Sequence, residues 1–364
     1  VRLVLKLGTS SLTDRHGVID VDAVAKTAQE VAAARDAGHE VVLVSSGAVA
    51  AGLPALDIPA EDRPRDARTL QAVSAVGQIR LMQTWGEHLG SHDLVAGQVL
   101  LAPLDFMVRA QYLHARSTLE RLLELGVVPV VNENDAIADD EIRFGDNDRI
   151  AALVAQLLGA ELLVLLTDAP GLMDADPRVV AEASLIEEIV EIDQQLEALA
   201  GGAGSARGSG GMASKLSAAK MASWSGVRAV IAAAGRPGVV DDAIAGRPGV
   251  GTIVLPRARR LSARKLWIAF ALPSHGRVTI DAGAARAVAG GGRSLLAAGV
   301  VAVEGAFDAE DAVEVVGPDG AVVAKGLVRV DTPTLRSIAG RRSADLVDGS
   351  GEVIHADDLV VLPA

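Results

Sequence analysis

The chain has 364 residues, half of them hydrophobic and 22% charged, a folded composition too long for one ordinary core, so two domains are expected. It has no cysteine, which excludes disulfides, thiolate metal sites and cysteine nucleophiles. A formal net charge of −13 and an aromatic share of only 2% make nucleic acid an unfavoured partner, since that needs a positive footprint and stacking platforms.

Residues 1–7 read as a strand rather than a signal peptide, because Lys6 and Gly8 interrupt the apolar run almost at once. The strand ends in Lys6-Leu7-Gly8-Thr9-Ser10, where a point charge and turn N–H donors suit phosphate oxygens; the bland alternative is a snorkelling lysine before an ordinary turn. An amphipathic helix is expected at 21–37 and a strand at 40–45. That second strand runs into Ser45-Ser46-Gly47-Ala48, small residues that let backbone approach a ligand, or else a tight turn chosen for packing.

Helices are expected at 68–89 and 115–125, and a strand at 127–131. Directly after it comes Asn132-Glu133-Asn134-Asp135, then Gly145-Asp146-Asn147-Asp148 opening a helix at 150–158. Asp146 and Asp148 suit helix capping, yet two polar clusters near one sheet edge ask for a common cause. The longest apolar run, 162–166, is strand-sized and ends at Thr167-Asp168, so no membrane span is expected and the cytoplasm fits best. Gly208-Ser209-Gly210-Gly211-Met212-Ala213-Ser214-Lys215 is a glycine loop entering a helix at 213–223, with an exposed lysine one turn inside it. Its spacing is not that of a Walker loop, and a flexible linker is the alternative. A strand at 229–233 completes an α/β alternation that implies a mostly parallel sheet covered on both faces.

The basic stretch 257–265 reads as a solvated connection, and beyond it short β segments at 277–281, 299–303, 312–316, 321–330 and 353–361 indicate a small β-rich domain. His16, His39, His88, His92, His114, His275 and His355 have no metal-ligand spacing, so no protein-bound metal is expected.

Taken together, these motifs, with Tyr112-Leu113-His114-Ala115-Arg116 and Leu166-Thr167-Asp168, resemble the glutamate 5-kinase family of amino-acid kinases over nearly the whole chain. Related kinases of acetylglutamate, aspartate or uridylate share the glycine loops but not the Asn-Glu-Asn-Asp and Gly-Asp-Asn-Asp pair. The resemblance implies a three-layer αβα sandwich at 1–258, a linker at 259–272 and a PUA-like β barrel at 273–364. It implies that Ser46, Gly47, Ala48, Asp135 and Asn147 bind L-glutamate. Lys6, Gly8, Thr9, Thr167, Asp168, Ser209, Gly210, Gly211, Met212, Ala213, Ser214 and Lys215 would bind ATP. Lys6 and Lys215 would stabilise the phosphoryl transition state, with Asp148 orienting them.

It further implies Mg²⁺ with the ATP, proline as a feedback inhibitor, a homo-oligomer, and channelling to glutamyl-phosphate reductase. Ala169-Pro170 and Met173 depart from the family pattern and bear on nucleotide contacts; Ser209 stands for a usual threonine, and Ala356-Asp357-Asp358 lacks an arginine often found there. The competing readings are another carboxylate or carbamate kinase and an RNA-binding or RNA-modifying protein.

Overall fold

The computed structural model describes residues 1–106, 108–137, 147–176, 180, 182–201, 211–258, 260–270, 272–342, 344, 346 and 351–362. The chain divides into two compact units, Val1–Arg260 and Leu261–Ala364.

The first unit runs β1 (Arg2–Leu7), α1 (Thr9–Leu12), α2 (Val21–Asp36), β2 (Glu40–Ser45), α3 (Ala48–Ala55), α4 (Ala67–Gly90), β3 (Ala96–Leu101), α5 (Arg109–Glu124), β4 (Val128–Glu133), α6 (Asn147–Leu157), β5 (Leu162–Thr167), β6 (Glu188–Ile189), α7 (Gln194–Ala200), α8 (Met212–Trp224), β7 (Arg228–Ala233), α9 (Val239–Ala245) and β8 (Thr252–Val254). Its eight-stranded sheet has the order β3-β4-β2-β1-β5-β7-β8-β6. Every pairing is parallel except β7 with β8. The carboxyl ends of β1, β2, β4, β5 and β7 therefore share one edge, where ligands of open parallel sheets bind.

Alternation along β1 decides which side chain reaches which layer. Leu3, Leu5 and Leu7 join one core with α2 and α4 residues such as Val24, Val31, Leu81 and Trp85. Val4 and Lys6 therefore face the opposite layer, where α6 packs on β1 and α8 packs on α6. A lysine at this position is committed to the second helical layer by register alone.

Two glycines bring α3 and α4 together backbone to backbone. A Cβ on Gly77 would lie 1.8 Å from the Ala48 carbonyl oxygen, and one on Gly52 would lie 2.1 Å from that of Val73. No neighbouring side chain can yield at either place, because the obstacle is main chain. Gly77→Ala is expected to destabilise the protein by roughly 3 kcal/mol or more and to push away the start of α3, which a urea melt will measure.

The second unit comprises α10 (Ala263–Phe270), β9 (Gly276–Ile280), α11 (Ala282–Ala289), β10 (Leu295–Leu296), β11 (Val300–Gly305), β12 (Ala312–Val316), β13 (Val322–Leu327), α12 (Thr332–Ile338), β14 (Glu352–Ile354) and β15 (Leu359–Val361). A five-stranded sheet, β11-β9-β12-β13-β15, and a two-stranded one, β10-β14, surround a core that includes Val278, Val313, Leu335 and Ile354.

Two expectations need correction here. The segment 259–272 contains helix α10, whose Leu266 and Ile268 are buried while α10 packs on β13 and β15. Its basic residues anchor it inside this unit: Arg264 pairs with Asp358 at 2.5 Å, and Lys265 Nζ donates to the Ala356 carbonyl at 2.9 Å. The charge run masked a short amphipathic period. The helix expected from 115 starts at Arg109, and its exposure explains the miss, since only Leu119 and Leu123 are buried.

Candidate active site

At the carboxyl end of β1, Lys6 Nζ lies 2.5 Å from Asp148 Oδ1, and Lys215 Nζ reaches Asp148 Oδ2 at 3.3 Å. All three residues are almost wholly buried: Lys6 and Lys215 are 3% exposed and Asp148 1%. The expected exposed lysine at 215 is thus a buried one, because α8 packs that face against α6. Asp148 stands in the first turn of α6, where the helix dipole favours a carboxylate. Ser214 Oγ donates to Asp148 Oδ2 at 2.6 Å, so one carboxylate gathers two ammoniums and a hydroxyl.

Burial pushes the Asp148 carboxyl up, but the charges of Lys6 and Lys215 and hydrogen bonds from Lys6 and Ser214 outweigh it and bring it down to about 2. Two ammoniums against one carboxylate leave this trio with one net positive charge in a dry setting, which suits an anionic group at the strand ends.

The helices that start near this cluster leave their first N–H groups uncapped. Gly8, Gly47 and Gly211 precede α1, α3 and α8 and supply no side-chain cap, whereas Asp20, Asp66 and Asp193 cap α2, α4 and α7. Gly47 adopts φ +107°, which glycine tolerates and a side chain resists. At Gly8 a Cβ would stand 3.3 Å from Lys6 Nζ, so glycine keeps the space beside the ammonium open.

Next to the lysine cluster lies a buried polar chain. Asn147 Nδ2 donates to Ser46 Oγ at 3.1 Å and to Asn132 Oδ1 at 2.9 Å. Asn132 Nδ2 donates to Gln78 Oε1 at 2.9 Å. The Glu133 main-chain N–H points at Asn132 Oδ1 and Asn147 Oδ1, at 2.9 and 3.1 Å. Asp135, just beyond β4, accepts a 2.6 Å hydrogen bond from Ser74 Oγ. Burial raises its carboxyl above the ordinary value, opposed by the Ser74 bond and the Arg63 charge.

Thr167, buried, and Asp168, exposed, end β5 one strand from Lys6, and Thr167 Oγ1 donates to Asp168 Oδ1 at 3.1 Å. Thr9, Met212 and Ala213 lie in the first turns of α1 and α8, and Ala48 opens α3. Ser209 and Gly210 fall outside the described residues. Gln78 and Ser74 had no counterpart among the sequence motifs. The available signal was two polar side chains four residues apart on one face of α4.

The model of the amino acid kinase family matches residues 1–233, and that of the PUA domain matches 276–349. The chain belongs to the amino acid kinase family. Within it, similar relatives are glutamate 5-kinases. That of Herpetosiphon aurantiacus is 46% identical over 99% of this chain and 98% of its own. The Mycobacterium tuberculosis (strain H37Rv) enzyme is 45% identical over 100% and 95%, and that of Moorella thermoacetica 42% over 99% and 96%. The fold of this amino acid kinase is also that of a UMP kinase from Bacillus anthracis, with a TM-score of 0.50 and 18% identity, covering 71% of this chain and 96% of the other. The family architecture is thus an α/β kinase unit with a mostly parallel sheet and a β-rich PUA unit after it.

Proposed function

We propose that this protein transfers the γ-phosphoryl group of ATP to the γ-carboxylate of L-glutamate, giving L-glutamyl 5-phosphate, the first step of proline biosynthesis. The observation that carries the reading is the buried Lys6–Asp148–Lys215 cluster at a parallel strand edge, set against the buried amide chain ending on Ser46.

A carboxylate oxygen forms the new bond to the γ-phosphorus while the bond to the β–γ bridging oxygen breaks, and ADP leaves with that electron pair. Near neutral pH the carboxylate is already ionised, its ordinary pKa being about 4, so no general base is called for. Catalysis then consists of positioning and charge stabilisation. In this reading Lys6 and Lys215 meet the equatorial oxygens and Asp148 holds both ammoniums in place. Gly8, Thr9, Thr167, Asp168 and residues 209–215 cradle the nucleotide. Ser46, Gly47, Ala48, Asp135 and Asn147 hold glutamate.

Among the described residues no group of three or more histidines or carboxylates could hold a metal ion. The proposal takes magnesium as part of the incoming nucleotide. Proline shares glutamate's ammonium and α-carboxylate, so inhibition by proline belongs to the same reading. So do a homo-oligomer, hand-over of the product to a glutamyl-phosphate reductase, and a cytoplasmic setting. Among the described residues no helix is long and apolar enough to cross a membrane.

The test is ADP release with Mg²⁺ and ATP against glutamate, N-acetylglutamate, aspartate and carbamate. Turnover with glutamate is expected; turnover with another acceptor and none with glutamate would overturn the reading. Asp135→Ala is expected to raise KM for glutamate about tenfold to a hundredfold, the worth of one charged hydrogen bond. KM for ATP should stay within about twofold, because the nucleotide loops are separate. Steady-state kinetics with each substrate varied in turn will separate the two.

A further inference from the structure

The amide chain beside the lysine cluster has an end that the proposed function leaves unused. Its orientation is dictated by one group that can only donate, the Glu133 main-chain N–H. That group faces both Asn132 Oδ1 and Asn147 Oδ1, so both of those atoms are oxygens. The Asn147 amide nitrogen then spends its two hydrogens on Ser46 Oγ and Asn132 Oδ1. Asn132 is left to present its nitrogen to Gln78, and Gln78 must answer with its oxygen.

What remains is Gln78 Nε2. Gln78 is 8% exposed, and its Nε2 is buried without a hydrogen-bond partner among the described residues. Buried amide donors are nearly always satisfied, so an orphan in a site awaits an acceptor. Ser46 offers a second donor there. Its lone pair takes the Asn147 hydrogen, which leaves its own proton to point elsewhere. Two donors side by side suit a carboxylate and disfavour an ammonium.

Which carboxylate follows from α4. Ser74 holds Asp135, whose carboxylate suits the substrate's ammonium, and Gln78 lies four residues on along the same helix face. One turn of helix, about 5 Å, separates the two positions. An amino acid carries its ammonium and α-carboxylate on one carbon, a spacing that these two positions can serve together. The γ-carboxylate is the one that must reach the lysines.

We propose that Gln78 is a substrate-binding residue, its Nε2 donating to the α-carboxylate of glutamate beside the Ser46 hydroxyl. This rests on the glutamate-kinase reading and assigns a further residue to its substrate site. It also gives Asn147 a different task from direct contact through nitrogen: both of its N–H groups are committed to protein, so it aims Ser46.

The test is Gln78→Glu. That change keeps an oxygen for Asn132 and replaces the donor with an anionic oxygen facing the substrate. KM for glutamate is expected to rise at least thirtyfold, with KM for ATP within twofold. The preference for glutamate over its α-amide should shrink at least tenfold, since the amide can donate to the new carboxylate. A purely structural Gln78 needs only its oxygen and predicts near-normal kinetics; KM for glutamate within threefold of the wild type in a folded variant overturns the proposal. If the buried charge prevents folding, Gln78→Met removes the donor and also the oxygen facing Asn132, so glutamate is compared with its α-amide: KM for glutamate is expected to rise at least threefold more than KM for the α-amide, since only the former loses a charged hydrogen bond. An equal rise for both acceptors, or none, overturns it. The wild type run alongside separates the two levels. No glutamate-dependent turnover there sinks the kinase reading and this proposal together, whereas normal wild-type turnover with unaffected variants sinks this proposal alone.

Discussion

Lys215→Ala is expected to lower kcat by two to three decades, the loss of about 3–4 kcal/mol of transition-state stabilisation from one charge contact. The trio Lys6, Asp148 and Lys215 carries one net positive charge, and without Lys215 it carries none. Asp148 keeps its 2.5 Å partner Lys6, so the carboxylate is not stranded. The rate should therefore fall much further than the stability. Some stability will be lost as well, because Lys215 is buried in α8 and its long side chain fills space against α6. Single-turnover ADP formation together with a thermal melt will distinguish the two effects. A folded variant with near wild-type kcat would remove Lys215 from the chemistry.

Asp148→Asn is expected to cost more stability than the lysine change and to abolish most activity. Removing this carboxylate leaves two ammoniums, each 3% exposed, facing each other without their shared counter-charge. Breaking a buried ion pair in this way typically costs about 3–5 kcal/mol. The pH dependence gives an independent check. The Asp148 carboxyl is held at about 2, below its ordinary 3.8, so its stabilising contribution is complete above 3.8 and disappears as pH falls through about 2. The contribution is on the order of 2 kcal/mol. The stability gap between wild type and Asp148→Asn should therefore be constant near neutral pH and narrow as the pH falls from about 4 towards 2. Denaturant melts at stepped pH will show it, and a gap that does not change with acid would mean that Asp148 is not the depressed group.

Much of the kinase unit was written locally. Continuous apolar runs such as 41–44 and 162–166 suit strands buried on both faces, and Gly8 and Gly47, just past the ends of β1 and β2, mark where the backbone turns at the ligand edge. Helices α2, α4 and α8 lie within a residue or so of their expected places, because amphipathic period and Asp or Gly start signals are short-range properties. Short or exposed elements escaped, among them β3, α9 and α10, since a three- to eight-residue segment carries too few periods to declare itself.

By itself the sequence determined which chemistry was on offer: lysines at a strand end and in a glycine-led helix, and carboxamides and carboxylates after a buried strand. What only the tertiary structure decided was pairing and burial. The register of β1 sends Lys6 into the α6–α8 layer, so residues 142 and 209 positions apart along the chain converge on one carboxylate environment. Lys215 looked exposed because one turn past a glycine loop is usually solvent, and it is buried because α8 lies flat on α6. Gln78 and Ser74 were invisible as site residues because their relevance depends on Gly77 letting α4 approach α3, and on β4 delivering Asn132 and Asp135 to the same edge. Helix period and residue type are local, whereas the partner of a buried polar group is set by the packing of segments distant in sequence.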